Sequence, residues 1–407
     1  MHARDPSPLV KVAVVAEFYP SRRDPVLGIW AHRQACAARD AGAEVRVLVL
    51  HRVVPPRASV GRGPAGALIE LRARAREPRH QIRDGLAVTY LPYVSPPRSR
   101  SYASWSAWAA PGLAAALRRM RRGFAFDVVH AHNAVPAGDA ARIALRMARH
   151  AELPLVVSVH GGDVLYTAPR SPAGEAAVAR GLSAAHLVLA NSKGVAELAQ
   201  AHGARETRIV HLGADLPGTP LQRREGPPTL VTVAHLIARK RHADVVRALA
   251  VLTQRHPTLR YAIVGDGPER VALEGLAARL DVSARVEFHG QLAPAAALEV
   301  ARRCTLYVMP STEEAFGVAY VEAMAAGVPA IGCRGEPGPE EIAAAGDGMV
   351  LVPPGDIERL SQRIDELLSD PSRLRIAGQH ARETVAAQFT WEKCGRDTLS
   401  AYEQALA

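Results

Sequence analysis

Four cysteines in 407 residues, at positions 36, 304, 333 and 394, are too few and too scattered for a disulfide framework or a paired zinc-ligand motif. Buried, reduced thiols are expected instead. Nowhere does the chain run for the roughly 20 uninterrupted apolar residues that a membrane span requires, because arginine or proline breaks each candidate. The opening MHARDPSPLVKVAVVAEF has a basic residue but no long apolar stretch before its first expected strand. A secretory signal is therefore not expected, and a cytoplasmic location is. No Asp-x-Asp pair is present, so no metal site is expected. Acidic residues are outnumbered 40 to 50 by lysine and arginine, giving a formal net charge of +10. That excess suits an anionic partner, which charge alone leaves open among a phosphate-bearing substrate, an anionic membrane face and nucleic acid. A coding bias toward alanine and arginine explains it equally well. No recognised nucleic-acid motif accompanies the charge, which ranks a basic nucleic-acid-binding protein last and leaves nucleic acid off the list of expected partners.

What the chain has in quantity is apolar material, 48% of its residues, enough for more than one core. Short apolar runs alternate with helical patterns from VKVAVVA through a helix near Gly28 to Ala41, EVRVLVL, LAVTYLP, DVVHAH, LPLVVSVH, HLVLA and TRIVHL. This alternation predicts a parallel α/β sheet covered by helices on both faces. The segment LPGTPLQRREGPPT is rich in proline, glycine and charge, as an interdomain connection would be. A second α/β series follows in TLVTVAHL, LRYAIVGDG, RVEFHG, CTLYVMPS, VPAIGC and GMVLV. The expected organisation is a first domain over 1–215, a linker over 216–228, a second domain over 229–388 and a C-terminal helix over 389–407 packing back toward the first domain.

Two basic regions depart from the rhythm. Between Arg57 and Arg83 the chain is rich in arginine and glycine without apolar periodicity, which predicts a mobile loop or insertion. In YASWSAWAAPGLAAALRRMRRGF, Trp105 and Trp108 precede a helix ending in Arg118, Arg119, Arg121 and Arg122, a composition suited to a membrane surface.

The stretch carrying most chemistry is PSTEEAFGVAYVEAMAAGVPAIG, in which seven residues separate Glu314 from Glu322 around a Phe-Gly-Val turn. It follows an expected strand and opens a helix, which places the backbone N–H groups of Phe316, Gly317 and Val318 where orphan donors and the helix dipole can bind a diphosphate. Two ordinary acidic residues near a helix start would look the same in isolation. His160, in SVHGGDV, falls at the carboxyl end of an expected strand, the edge where open α/β sheets place their ligands. Gly161 and Gly162 beside it permit close approach, and Asp163 is either a ligand contact or a local cap. IVGDGPE is not a dinucleotide fingerprint, because Arg270 stands where a third glycine is expected.

With these stretches the sequence resembles the retaining glycosyltransferases of family 4, which have the GT-B fold and a Glu-x(7)-Glu signature. The resemblance extends over VAHLIARKRH, IVGDGPE, RVEFHGQL and the Glu-x(7)-Glu stretch in the second half, and over FYPSRRDPVLGIWAHRQ, FDVVHAH, VVSVHGGDV and LANSKGV in the first. Within the family it resembles the bacterial teichuronic acid and exopolysaccharide transferases. The fold it implies is α/β, with two Rossmann-like domains whose parallel sheets face each other across a cleft.

The resemblance also assigns roles. Glu322 would bind the nucleotide ribose, Glu314 would contact the transferred sugar, and His160 would lie near the reacting centre with Gly161 and Asp163. Lys240 would stabilise the donor diphosphate, with His235 standing where the family usually has an arginine. Gly28 would lie in the loop approaching the phosphates. The implied activity is metal-independent, retaining transfer of a hexose-type sugar from a nucleoside-diphosphate sugar to a hydroxyl acceptor, the nucleotide sugar serving as co-substrate with no cofactor. The implied setting is polysaccharide or glycolipid synthesis with a lipid-linked acceptor, peripheral at the inner membrane face. A soluble GT-B enzyme acting on a small-molecule or glucan acceptor is the alternative.

Overall fold

The computed structural model describes residues 9–54, 78–97, 101–218 and 226–407, with isolated positions between 65 and 72. The chain divides into two compact units, one of residues 1–210 with 394–407 and the other of residues 211–393.

The first unit is built on an eight-stranded sheet: β1 (Lys11–Ala16), β2 (Glu44–Arg52), β3 (His80–Arg83), β4 (Leu86–Tyr93), β5 (Val128–His132), β6 (Leu155–Val159), β7 (Leu187–Ala190) and β8 (Thr207–Ile209). The spatial order is β3-β4-β2-β1-β5-β6-β7-β8, parallel except for the β3–β4 pair. β1, β5, β6 and β7 are buried almost throughout, as strands covered on both faces must be. β3 corrects the expectation of an irregular segment reaching Arg83. Its residues, His80 to Arg83, sit half or fully exposed at the sheet edge, where an apolar pattern is not required. Most of the segment from 57 to 77 lies outside the described residues.

The second unit holds a six-stranded, wholly parallel sheet: β9 (Thr229–Val233), β10 (Arg260–Val264), β11 (Val286–Gly290), β12 (Leu306–Val308), β13 (Ala330–Cys333) and β14 (Met349–Val352), in the order β11-β10-β9-β12-β13-β14. Its core joins Leu230, Ile263, Leu306 and Ile331 from the strands to Val245, Leu249, Leu360 and Ile364 from covering helices. Part of the segment expected as a linker, 219–225, lies outside the described residues. The last helix, Trp391–Leu406, leaves the second unit and from Cys394 onward belongs to the first. Its Tyr402 and Cys394 are fully buried.

The helix Trp105–Arg121 corrects the reading of its tryptophans. Trp105 is buried and donates its indole N–H to the Tyr93 hydroxyl at 2.7 Å, while Trp108 stays half exposed. Trp105, Ala109, Leu113 and Leu117 repeat every four residues, and this stripe faces the core. Among the described residues no helix is long and apolar enough to cross a membrane. All four cysteines are buried and none is in a disulfide among the described residues, and burial pushes the thiols of Cys36 and Cys394 up to about 11 and about 12.

Candidate active site

In each unit the strand order reverses next to the first strand, and ligands of open α/β sheets bind at the carboxyl ends of the strands flanking such a point. In the second unit that point lies between β9 and β12. The loop after β9 carries His235 and, on a short 3₁₀ turn over Ala238–Lys240, Lys240. The loop after β12 carries Ser311, Glu314 and the helix start. Residues 74 positions apart in sequence thus meet: the Lys240 ammonium donates directly to Glu314 Oε2. Arg239 lies 3.8 Å from the same oxygen, and Ser311 donates its hydroxyl to it at 3.0 Å.

This carboxylate is buried, which by itself would raise its pKa, but the adjacent Lys240 prevails and holds it below the ordinary carboxylate range. Burial draws the ammonium of Lys240 down from its ordinary value against the attraction of Glu314. The Glu314 backbone N–H donates to Glu336 Oε2 at 2.8 Å, and burial raises the Glu336 carboxyl. Tyr320 completes the support, with its hydroxyl 3.2 Å from that of Ser311 and donating to the Met309 carbonyl. Glu314 is thereby fixed from four sides.

Gly317 caps the helix Val318–Ala325 at φ 85°, a left-handed conformation, and a Cβ there would overlap the Tyr320 ring. Only glycine fits. The backbone N–H groups of Phe316, Gly317 and Val318 have no partner among the described residues, and the dipole adds positive potential at this end. The Phe316 side chain is committed to packing, parallel to the His211 ring with centroids 6.0 Å apart and edge-on to Phe389 at 5.7 Å. Its contribution to a ligand is therefore the main-chain donor. Glu322 lies just past the first turn of the same helix, half-buried. His235 is exposed, with Nδ1 3.3 Å from the Asp266 carbonyl.

In the first unit the reversal lies between β1 and β5. Gly28, at φ 68°, ends the loop after β1 and begins the helix Ile29–Asp40; a Cβ there would overlap the Phe18 carbonyl. Trp30, two residues on, brings its ring to 6.0 Å from that of His160. His160 directly follows β6, and Gly161 follows it at φ 93°. Asp163 is buried and bridges two loops, accepting from Asn133 Nδ2 at 3.2 Å and from the backbone N–H groups of Ala134 at 3.1 Å and Val135 at 3.4 Å. Burial raises its carboxyl to about 6 against those donors. Both oxygens are thus engaged by the protein's own chain.

Three histidines form a ladder there. His132 Nδ1 lies 3.0 Å from His160 Nε2, and the His130 ring lies 4.4 Å from that of His132. His130 in turn meets the hydroxyls of Tyr402 at 2.7 Å and Ser158 at 2.8 Å. Burial keeps all three well below the ordinary histidine pKa, His130 and His160 at about 3. His130 and His132 join the site without having been expected from the sequence, as do Arg239, Ser311, Tyr320 and Glu336. Two same-face histidines in an otherwise apolar strand were the available signal for the first pair.

A family described as Glycosyl transferases group 1 matches residues 219–384, and one described as Glycosyl transferase 4-like domain matches residues 28–215. The chain is 36% identical over 157 residues to an exopolysaccharide phosphotransferase of Streptomyces coelicolor, covering 38% of this chain but only 16% of that protein. It is 30% identical over 282 residues to N-acetyl-alpha-D-glucosaminyl L-malate synthase of Bacillus anthracis, covering 66% of this chain and 72% of that protein. Among solved structures, Anabaena HepE in complex with UDP and glucose superposes with a TM-score of 0.71 at 19% identity, covering 97% of this chain and 99% of that one. These matches take in both units, and the chain belongs to the family 4 glycosyltransferases of GT-B fold.

Proposed function

We propose that this glycosyltransferase moves a sugar from a nucleoside-diphosphate sugar, with a uridine nucleotide the first to try, to a hydroxyl acceptor with retained anomeric configuration and no divalent metal. The observation that carries the reading is the buried Lys240–Glu314 pair beside the three unpartnered N–H groups of Phe316, Gly317 and Val318. A diphosphate seated on those donors brings negative charge to Lys240, which is already desolvated and fixed. As the bond from the anomeric carbon to the diphosphate oxygen breaks, its electron pair moves onto that oxygen. The charge developing there is what Lys240 and the helix terminus stabilise. The acceptor oxygen bonds to the same face of the anomeric carbon, and its proton passes to the departing phosphate. Glu314 orients the sugar, Glu322 holds the ribose, His235 adds a hydrogen bond to the diphosphate, and His160 and Gly161 line the reacting end. Asp163 acts by holding the loop that bears His160.

Cell-surface polysaccharide or glycolipid synthesis is the role proposed, the arginines ending the helix Trp105–Arg121 binding an anionic membrane beside a lipid-linked acceptor. A small soluble acceptor is the second reading, favoured by the burial of Trp105, which removes half of the aromatic anchor. The test is nucleotide release from a panel of nucleotide sugars with and without EDTA, with the anomeric configuration of the product read by NMR. Turnover abolished by EDTA, or an inverted product, overturns the respective part of the reading. Sedimentation with anionic vesicles at low salt, compared between the wild type and a variant with Arg118, Arg119, Arg121 and Arg122 replaced by glutamine, separates the two acceptor readings.

A further inference from the structure

The amino edge of the first sheet carries a cavity that the donor chemistry leaves unused. Its volume is about 680 Å³, within the roughly 300–1,000 Å³ of small-molecule sites. Leu145, Leu153 and Leu155 give it an apolar floor. Around them stand Arg142 and Arg146 of the helix Asp139–Ala148, Arg180 of the helix Pro172–Ser183, and His186 and Arg205 from the segments leading into β7 and β8. Among the described residues Glu206 is the one carboxylate in the lining, and it accepts from Gln404 Nε2. Leu155 is the first residue of β6, whereas His160 follows the last. The cavity and the reacting end of the first unit therefore lie at opposite ends of that strand, about 17 Å apart along it.

The buried carboxylate of Asp139 accepts from Arg142 Nε at 2.8 Å and lies 3.8 Å from Arg180, which also donates to the Ala103 carbonyl at 2.8 Å. Those contacts hold two of the guanidinium groups in place. Arg146 and Arg205 are exposed, and neither side chain has a partner among the described residues. Four guanidinium groups against the two carboxylates of Asp139 and Glu206 leave an excess of positive charge around one concavity. Arg146 and Arg180 occupy last turns of their helices, where the dipole favours a cation. Arg142 lies in a first turn and Arg205 in a loop, so compensation of helix dipoles does not account for the convergence. His186 adds a neutral donor. The Leu155 backbone N–H donates to its Nδ1 at 3.1 Å, which leaves that nitrogen bare, and the exposed ring carries its proton on Nε2.

We propose that this cavity binds a phosphorylated small molecule, with the arginines and His186 Nε2–H taking the phosphoryl oxygens and the leucines taking the carbon frame. The planar fork of arginine matches a phosphoryl group through paired, charge-assisted hydrogen bonds. A soluble sugar phosphate and the headgroup of an anionic phospholipid share that chemistry. The site is separate from the diphosphate donors around Lys240 and does not depend on the transfer reaction proposed above.

The test is calorimetric titration of the full-length protein with glucose 6-phosphate at low ionic strength, alongside sedimentation with phosphatidylglycerol and with phosphatidylcholine vesicles. Arg146→Gln and Arg205→Gln are the variants, singly and together, because both side chains are exposed and their loss should leave Tm unchanged. A soluble ligand class predicts saturable binding of glucose 6-phosphate, weakened roughly tenfold for each arginine removed. A lipid headgroup predicts sedimentation with phosphatidylglycerol but not phosphatidylcholine vesicles, lost in the double variant. Either result supports the site and identifies its source. The proposal is overturned if neither probe binds, or if the double variant binds both as the wild type does. Vesicle binding that survives in the double variant, with glucose 6-phosphate inert, belongs to the arginines ending the helix Trp105–Arg121 and also overturns it. The Lys240→Met, Glu314→Gln variant separates the two sites: binding of glucose 6-phosphate should persist there, and its loss would place that ligand at the donor site instead.

Discussion

Replacing Lys240 by methionine keeps the length of the side chain and removes its charge, which makes the ion pair with Glu314 the thing measured. Glu314 would be left buried, with the Ser311 hydroxyl at 3.0 Å and the more distant Arg239, 3.8 Å away, as its remaining partners. Removing one member of a buried pair costs about 3–5 kcal/mol, and the remaining partners place this case at the lower end. For a domain of this size each kcal/mol moves Tm by about 2–4 °C, so a drop of roughly 6–12 °C is expected for the second unit. A Lys240→Met, Glu314→Gln double variant contains no stranded charge and should regain most of that stability.

Turnover should behave differently. Loss of one preorganised group at the leaving oxygen costs on the order of 2.7–4 kcal/mol, or a hundred- to a thousandfold in kcat, and restoring the fold does not restore that group. Calorimetry of both variants and initial rates at saturating donor provide the comparison. An unmoved Tm in Lys240→Met refutes the buried pair. A double variant that regains turnover along with stability refutes leaving-group stabilisation by Lys240.

The ladder predicts acid sensitivity. His130, His132 and His160 have folded pKa values below their unfolded value, so the stability they contribute is present above about pH 6.5 and lost as pH falls below it. The slope is about 1.4 kcal/mol per pH unit for each proton taken up on unfolding; His132→Asn should reduce it by one proton, and identical unfolding profiles at pH 7, 6 and 5 would count against the ladder. Gly317→Ala forces a left-handed residue against Tyr320, so Tm should fall with a strain of about 1–3 kcal/mol and donor KM should rise; a normal KM would mean that the helix terminus does not bind the donor. Glu322→Ala should raise donor KM more than it lowers kcat, as loss of a ground-state ribose contact would, and the reverse pattern would exclude that contact.

Much of the fold was legible because two-sided burial leaves a plain trace: β1 after Lys11 and all of β7 are apolar, and β5 and β6 depart from that pattern only at His130, His132 and Ser158. Edge strands leave none, which is why His80 to Arg83 read as irregular chain. The burial of Trp105 was available in the four-residue stripe through Leu113 and Leu117, but two tryptophans beside four arginines drew attention to composition rather than period. At the site, the helix-terminal donors followed from the Phe-Gly-Val turn. The contact of Lys240 with Glu314 could not be read, because chain spacing says nothing about which loops a parallel sheet brings to one edge. Nor could it be read that Asp163 binds backbone N–H groups, since the same residue pattern suits a ligand contact.

The helix Trp391–Leu406 has a consequence for the way the molecule is made. Its residues from Cys394 onward are part of the first unit, and its Tyr402 is the partner of His130 at the inner end of the ladder. Translation at about 5–20 residues per second separates residues 210 and 394 by the synthesis of the whole second unit, ~10–40 s. During that interval the first sheet waits with His130 lacking its tyrosine and with a helix-sized area of core uncovered. Of the two units, the one whose sheet is synthesised earlier is the later to be completed, and residues 394–407 complete it.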